Sequence, residues 1–582
     1  MDQKRLLIAI ALSVAILLGF QALMPKRPTP PPSEPVAASA PASSGVPGVA
    51  GPSAAMTRAS MSPETVKAEA TAPRVEFSAA RVQGSINLLG AKLDDLVLRD
   101  YRDTIDPKSP LVRLLERRTD TQPYYVQFGW TAAPGDTTKL PGNDTLWTAS
   151  GTLGVNSPLT LSWNNGDGLE FQIVLAIDAD FMFTVDQKVI NKSAAASQLF
   201  PYARIRRDYT PTVSGYYVLH EGFVGVLGET LKEQKYDDAK SEGSKHDGVG
   251  LQAESTGGWA GFTDKYWLTA LVADPSSAQI VTYRHIADNG DRYQVDFLAK
   301  NAVTAAPGAT GTQRLHLFAG AKEVHLLDHY EDANKIPSFD KAVDFGWFYF
   351  ITKPFFYAID WLNGYLGNFG IAILVFTLGL KLVFFPLANK SYASMSKMKM
   401  LAPKITAIKE TYKDDSQKQQ QAIMALYKSE KVNPASGCLP MLLQIPVFFS
   451  LYKVIFVTIE MRQAPFYGWI HDLSEIDPTN VFNLFGLIPF DPTPYSHYLH
   501  LGAWPLIMGA TMWFQQKLNP PPPDPVQAKM FQFMPIIFTF MLASFPAGLV
   551  IYWSWNNSLT ILQQSFIMRR TRLRNEKAGA KS

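Results

Sequence analysis

The run 371–387 is apolar enough to enter a bilayer, yet it carries a lysine, Lys381. Roughly 20 predominantly apolar residues cross a hydrocarbon core as a helix. A cation near the bilayer centre costs roughly 2.5–3.5 kcal/mol on insertion scales. A residue kept at that cost snorkels to the headgroups, pairs, or lines a wet cavity. The chain is therefore restricted to folds whose apolar helices tolerate one buried or half-buried charge. Lys381 lies about 10 Å, at the helical rise, from the nearer end of the run. That depth allows either a snorkelling side chain or a cation in a groove.

Further apolar runs point to a polytopic α-helical membrane protein. Residues 1–24 place Lys4 and Arg5 before an apolar stretch and read as an uncleaved signal anchor, the alternative being a cleaved signal peptide. Five more spans are expected at about 369–388, 439–458, 499–516, 530–546 and 547–567, giving six transmembrane helices. The connector 389–432 holds nine lysines, and the basic tail 568–582 holds Arg569, Arg570, Arg572, Arg574, Lys577 and Lys581. The connector 459–498 holds one cation, Arg462, against Glu460, Asp472, Glu475, Asp477 and Asp491. The positive-inside rule then places both termini and 389–432 in the cytoplasm, with the large region before the second span on the other side.

That region divides in two. Residues 25–72 are rich in Pro, Ala and Ser and read as a disordered tether. Residues 73–340 show period-two segments between Gly, Asn, Asp and Pro punctuation, among them 124–128, 169–174, 278–283 and 314–318, which predicts an all-β sandwich. A closing helix is expected at 323–330. An amphipathic helix at 341–365, with Trp347, Phe348, Phe350, Phe355 and Trp361, is expected to lie along the outer interface. His220-Glu221, His246 and His285 are the only candidates for catalysis in the β region, and no metal spacing, nucleophile elbow or phosphate-binding loop accompanies them. The single cysteine, Cys438, excludes an intrachain disulfide and a cysteine-based metal site. No enzyme activity, no cofactor and no metal are expected.

Two constellations remain. Thr377 and Lys381 are four apart and share a helix face. Gln444 lies in the third span, and Asn556, Asn557, Gln563 and Gln564 lie in the sixth beside Tyr552 and Trp553, so these groups can converge on a polar groove. Such a groove, open to cytoplasm and lipid, would let a short polar or acidic segment enter while an attached apolar helix slides into lipid, driven by its own transfer free energy. The connector 389–432 reads as two antiparallel helices with Met395, Met398, Met400, Lys404 and Met424 as candidate contacts. Flexible thioethers suit adaptable apolar binding, and the lysines suit anionic lipid headgroups or RNA phosphates. Methionines that simply pack the helix pair are the plainer reading.

Several motifs in order carry a resemblance. Leu401-Ala-Pro-Lys-Ile-Thr-Ala-Ile-Lys409, Met424-Ala-Leu-Tyr-Lys-Ser-Glu-Lys-Val-Asn-Pro434, Gly437-Cys-Leu-Pro-Met-Leu-Leu-Gln-Ile-Pro446, Arg462-Gln-Ala-Pro-Phe-Tyr-Gly-Trp-Ile-His-Asp-Leu473 and Phe545-Pro-Ala-Gly-Leu549 resemble the Gram-negative form of the YidC family of bacterial membrane protein insertases. The resemblance covers essentially the whole chain. It implies an inner-membrane location, a five-helix insertase core at 366–567, a periplasmic β-supersandwich domain and a cytoplasmic hairpin needed for activity. It further implies membrane protein insertion and chaperoning, alone or with the Sec translocon and its accessory subunits, on nascent membrane proteins delivered by the ribosome. The family's groove cation falls on Lys381, its groove threonine on Thr377 and its sixth-span aromatic position on Trp553. Two features depart from the pattern. The cation is usually arginine in this form, so the bidentate fork is lost here while the charge is kept, and the connector 481–500 is unusually long. A secondary transporter coupled through Lys381 and a membrane-anchored surface enzyme are the competing readings. The first would need repeats and broken helices, and neither is seen in the sequence.

Overall fold

The computed structural model describes residues 68–213, 219–288, 290–413, 415–430, 439–490, 500–519 and 525–579, without side chains at 416, 439–441, 525–527, 572 and 574–579. The expected anchor, most of the tether, the end of the hairpin at Asn433-Pro434 and part of the long connector lie outside these residues.

Two antiparallel sheets fill the stretch from Arg74 to Ala321. The ten-stranded sheet runs in spatial order Arg74–Ser78, Val82–Asn87, Lys92–Arg102, Tyr124–Ala132, Ser197–Arg207, Asp291–Ala299, Ala278–Ala287 and Val249–Thr256, with Leu111–Leu115 and Val303–Ala305 as side pairings. The nine-stranded sheet runs Thr230–Gln234, Gly222–Leu227, Trp259–Thr263, Trp267–Ala273, Thr310–Ala321, Met182–Asn191, Leu169–Ile177, Leu159–Asn164 and Thr148–Ser150. Leu169–Ile177 alternates buried and half-buried positions without a break, because successive side chains point to opposite faces and only one face meets the other sheet. Aromatic pairs bridge the two layers: Trp130 with Phe171 at 5.1 Å, Tyr124 with Phe262 at 6.1 Å and Phe223 with Tyr283 at 4.9 Å between centroids. The β domain is thus an all-β sandwich.

The ten-stranded sheet breaks the simple alternation. Its outer face is also buried, under a layer of paired charges. Asp296 accepts from Arg204 Nε at 2.9 Å, Arg284 Nε at 3.2 Å and Gln294 Nε2 at 2.7 Å. On the inner side, Arg207 forms a two-pronged pair with Asp264, both bonds 2.9 Å, donates to the Tyr236 hydroxyl at 2.8 Å and stacks 4.1 Å over the Tyr124 ring.

Ten α-helices are described. Helix α1 (Tyr236–Gly243) is short and polar, escapes the sequence reading, and is held by buried Tyr236 and Ala239. Helix α2 (Val324–Asn334) is the expected closing helix, shifted a few residues. Helix α3 (Tyr349–Leu366) buries Thr352, Phe356 and Ile359 and exposes Phe350, Trp361 and Tyr365, as an amphipathic helix should. Lys353 of α3 reaches Asp328 at 2.9 Å and Asp340 at 2.6 Å, so this acidic group is already neutralised by an ammonium.

The remaining helices form the bundle: α4 (Phe369–Val383), α5 (Phe385–Thr411), α6 (Ser416–Ser429), α7 (Leu439–Val457), α8 (Ala503–Leu518), α9 (Pro525–Leu542) and α10 (Ala547–Gly579). Among the described residues no single helix is long and apolar enough by itself to cross a membrane; α4 and α5 qualify together, bent by 67°. Polar side chains along these helices lower their hydropathy, and the next section shows where those side chains go. Helices α5 and α6 form the expected hairpin, broken at 412–415, with Asp415 capping α6 through Lys418 N at 3.0 Å. Lys404 Nζ meets Glu430 Oε1 at 2.7 Å across the hairpin. Met395 is buried with Ala388, Tyr392 and Ile567, and Met398 packs against them, whereas Met400 and Met424 are exposed. The five methionine and lysine positions thus divide between packing and open surface.

The β domain is joined to the bundle by polar contacts. Glu460, just beyond α7, accepts the first amide of α2 from Val324 N at 2.9 Å, filling one of the orphan donors of that helix. Lys453 pairs with Asp344 at 2.9 Å, and Arg462 donates to Arg102 O at 2.6 Å while stacking on Trp267. Burial lifts the Glu460 carboxyl to about 7, and Glu323 and Asp360 add to the shift. A carboxyl raised in the folded state contributes stability in its neutral form. That contribution is fully present below the ordinary carboxyl range and is lost as pH climbs through about 7. At about 1.4 kcal/mol per pKa unit the loss is on the order of 3 kcal/mol. The expected result is a melting temperature of the full chain that falls between pH 5 and pH 8, roughly, with Glu460→Gln removing most of that slope. Identical slopes in the two proteins would show that Glu460 is not the titrating group.

Candidate functional site

Helices α4, α5, α7 and α10 surround a pocket lined by Thr377, Lys381, Gln444, Tyr552, Asn556 and Gln563, with Leu380, Phe384 and Val447 as apolar walls. The space open to water is about 50 Å³, room for a few molecules at roughly 10–15 Å³ each on this measure. A polar cleft of this size has the room and the hydrogen-bonding partners to hold water.

Lys381 is placed by α4 so that Nζ donates to Thr560 Oγ1 at 2.9 Å. Thr560 spends its own hydrogen on Asn556 O at 2.7 Å and so presents lone pairs to the ammonium. Among the described residues no carboxylate lies within ion-pair distance of Lys381, and Lys381 is the one charged side chain lining the pocket. Its charge is held by a neutral acceptor and remains available to an incoming anion. Thr377 is buried and returns its hydroxyl to Ile373 O at 2.7 Å, so it contributes an accepting oxygen and little else. Gln444 Nε2 donates to the Tyr552 hydroxyl, bridging α7 and α10. Gln563 Nε2 is buried and meets no hydrogen-bond partner among the described residues.

Helix α10 has two working faces. Tyr552, Asn556, Thr560 and Gln563 recur at helical spacing and face the groove. Trp553 and Asn557 lie on another face. Trp553 packs on Phe448 at 4.7 Å and Phe538 at 5.9 Å, and Asn557 Nδ2 donates to Thr511 Oγ1 of α8 at 3.3 Å. Gln564 likewise bonds Asn519 at 3.0 Å. The structure therefore brings Thr377, Lys381 and Gln444 together and separates Trp553 and Asn557 from them. Tyr392 and Thr560 join the site without having been singled out in the sequence. Thr560 stands four residues after Asn556, so the helical period was the signal that would have found it.

Outward from Gln444 along α7 the pocket gives way to an aromatic column. Phe448, Tyr452 and Phe456 stack nearly parallel at 6.4 and 5.5 Å, and Tyr452 also meets Phe545 at 5.6 Å. Leu451, Val454 and Ile455 on the same helix are fully buried.

A β sandwich joined to an apolar helical bundle that holds a polar pocket defines a two-part protein. The family model described as 60Kd inner membrane protein matches residues 361–576, and that described as YidC periplasmic domain matches 74–358. The chain belongs to the YidC membrane protein insertase family, whose members are inner-membrane proteins with a periplasmic domain. It is 58% identical to the Membrane protein insertase YidC of Granulibacter bethesdensis over 98% of this chain and 99% of that one. With the protein of the same name from Acidiphilium cryptum it shares 56% identity over 86% and 85% of the two chains. A solved YidC insertase crystal structure aligns over 84% of this chain and 91% of that one, with 17% identity and a TM-score of 0.35.

Proposed function

We propose that this protein inserts and folds inner-membrane proteins without nucleotide hydrolysis, through the groove around Lys381. The observation that carries the reading is a cation held by a neutral hydroxyl, with no counter-carboxylate among the described residues, in a pocket walled by apolar helices. A translocating polar or acidic tail exchanges bulk water for that pocket and for Lys381, which shortens the apolar barrier ahead of it. The attached apolar helix then moves into lipid on its own transfer free energy, worth about 0.3–0.6 kcal/mol for each central Leu, Ile, Phe or Val. Loss of the arginine fork does not matter to such a mechanism, because it needs positive potential and not bidentate geometry.

In this reading the bundle spans the inner membrane with 1–24 as a sixth span, both termini and the hairpin α5–α6 in the cytoplasm, and the β domain in the periplasm. Exposed Met400 and Met424 and the hairpin lysines meet emerging nascent chains, the ribosome and anionic headgroups, and the Sec translocon shares some clients. A transporter coupled at Lys381 would match the break between α4 and α5 but lacks a second charged side chain lining the pocket among the described residues.

Photo-crosslinkers placed at Gln444 and Asn556 test the proposal with a stalled ribosome-bound membrane protein. The expected products link both positions to the nascent chain, with far weaker products from Trp553 on the other face of α10. Crosslinks from Trp553 alone would show that clients take a different route.

A further inference from the structure

The stretch 481–490 belongs to neither the groove nor the β domain. It is tied to the bundle where Val481 N donates to Leu501 O at 2.8 Å, just before α8 begins. It contains no charged residue. Phe482, Leu484, Phe485, Leu487, Ile488 and Phe490 are all exposed, Leu487 to 83%. An uncharged surface with six large apolar side chains is not a surface made for water.

The backbone is arranged in the opposite sense. Asn480 accepts from Phe482 N through Oδ1 at 3.1 Å and from Phe485 N through its carbonyl at 2.8 Å. Asn483 accepts from Gly486 N through Oδ1 at 2.9 Å and from Ile488 N through its carbonyl at 3.1 Å. Leu487 N and Phe490 N bond to Leu484 O and Ile488 O. Consecutive left-handed residues, Leu484 (φ 51°) and Phe485 (φ 58°), curl the chain tightly enough for these bonds to close. Left-handed geometry is strained for bulky residues and persists only where the surroundings require it. A loop facing water has no need of it, because water satisfies its amides. At the headgroup–acyl boundary water is scarce, so amides bonded within the loop lose little there, while outward apolar side chains gain from the acyl chains.

The surroundings continue the same surface. Tyr467 and Trp469 are exposed in the neighbouring connector, and Ile507 is exposed near the start of α8. Tyr and Trp gather at membrane–water interfaces. We infer that residues 481–490 form a wedge that inserts at the headgroup–acyl boundary of the outer leaflet beside the start of α8. The leaflet assignment rests on the orientation given under the proposed function; insertion into lipid does not.

The test uses the full chain with Cys438→Ser and Leu487→Cys, labelled with an environment-sensitive fluorophore and reconstituted into phosphatidylcholine–phosphatidylglycerol vesicles. A label at Lys108→Cys, on an exposed loop of the β domain, is the aqueous reference. The expected result is blue-shifted emission at 487, quenching by chain-brominated lipids several-fold above the reference, and iodide quenching several-fold below it. Iodide quenching equal to the reference would overturn the wedge. Protection from both quenchers would overturn it too, because a second copy or another protein would then cover the loop. Client insertion measured in the same vesicles keeps the two readings apart, since a failed wedge with insertion intact removes the wedge alone.

Discussion

Reversing the charge at Lys381 is expected to cut sharply the insertion of clients whose translocated tail is acidic. The ammonium is held 2.9 Å from Thr560 and faces a pocket with no other charged side chain among the described residues, so Lys381→Glu changes the sign of the site. Two unit charges about 4 Å apart interact by about 4 kcal/mol at an effective dielectric of about 20. Attraction becomes repulsion, and about 1.4 kcal/mol of the change is already tenfold in rate. The expected outcome in reconstituted vesicles is a fall of at least about tenfold for an acidic-tailed client. Lys381→Ala falls less, since it removes attraction without adding repulsion. Lys381→Arg keeps the charge and keeps activity. A client with an uncharged tail is much less affected by all three. Ordinary insertion of the acidic client by Lys381→Glu would remove the role assigned to this residue.

The second large effect lies in the β domain. Arg207 is almost fully buried, and Asp264 supplies its two charge-bearing bonds. Burial and the ion pair act against each other, and the carboxylate prevails, holding the guanidinium well above its ordinary range. Asp264→Ala leaves that charge in the core among Tyr124, Tyr236 and Phe262. Removing one partner of a buried pair costs about 3–5 kcal/mol, because the other charge stays unpaired. The expected observation is a urea midpoint of the β domain shifted strongly downward in the full chain, followed by tryptophan fluorescence. A double replacement of Arg207 and Asp264 by apolar residues of similar size loses much less. An unshifted midpoint in Asp264→Ala would show that solvent reaches Arg207.

How much of this was legible in the sequence differs between the two halves. Period-two alternation is visible in strands such as Leu169–Ile177, where one face is core and the other is not. It fails in Ser197–Arg207, where arginines occupy buried positions and their partners on Asp291–Ala299 come from distant sequence. The short helix Tyr236–Gly243 carries too few apolar positions to show a period, and tertiary contacts at Tyr236 hold it. In the bundle four of the five expected apolar runs appear as single helices near their expected starts, α10 continuing to Gly579, whereas the run 369–388 is broken, α4 ending at Val383 and α5 starting at Phe385 after a 67° bend. Lys381 was legible because a charge in an apolar run is conspicuous by itself. Thr560 was not, since a threonine in such a run costs little and gains meaning only when α10 rotates it toward α4. The same rotation separates Asn556 from Asn557, neighbours that composition treats alike and a helix turns about 100° apart.

The aromatic column along α7 has an electrical consequence. On the proposed function water would reach as far as Gln444, whereas Phe448, Tyr452 and Phe456 are stacked beyond it. The conducting phase therefore reaches part-way and the insulator begins at the column. A transmembrane potential then drops across a thinner layer, so the gradient felt by a tail leaving the groove is steeper than in plain bilayer. The total remains about 2.3 kcal/mol per elementary charge per 100 mV, but it acts over a shorter path.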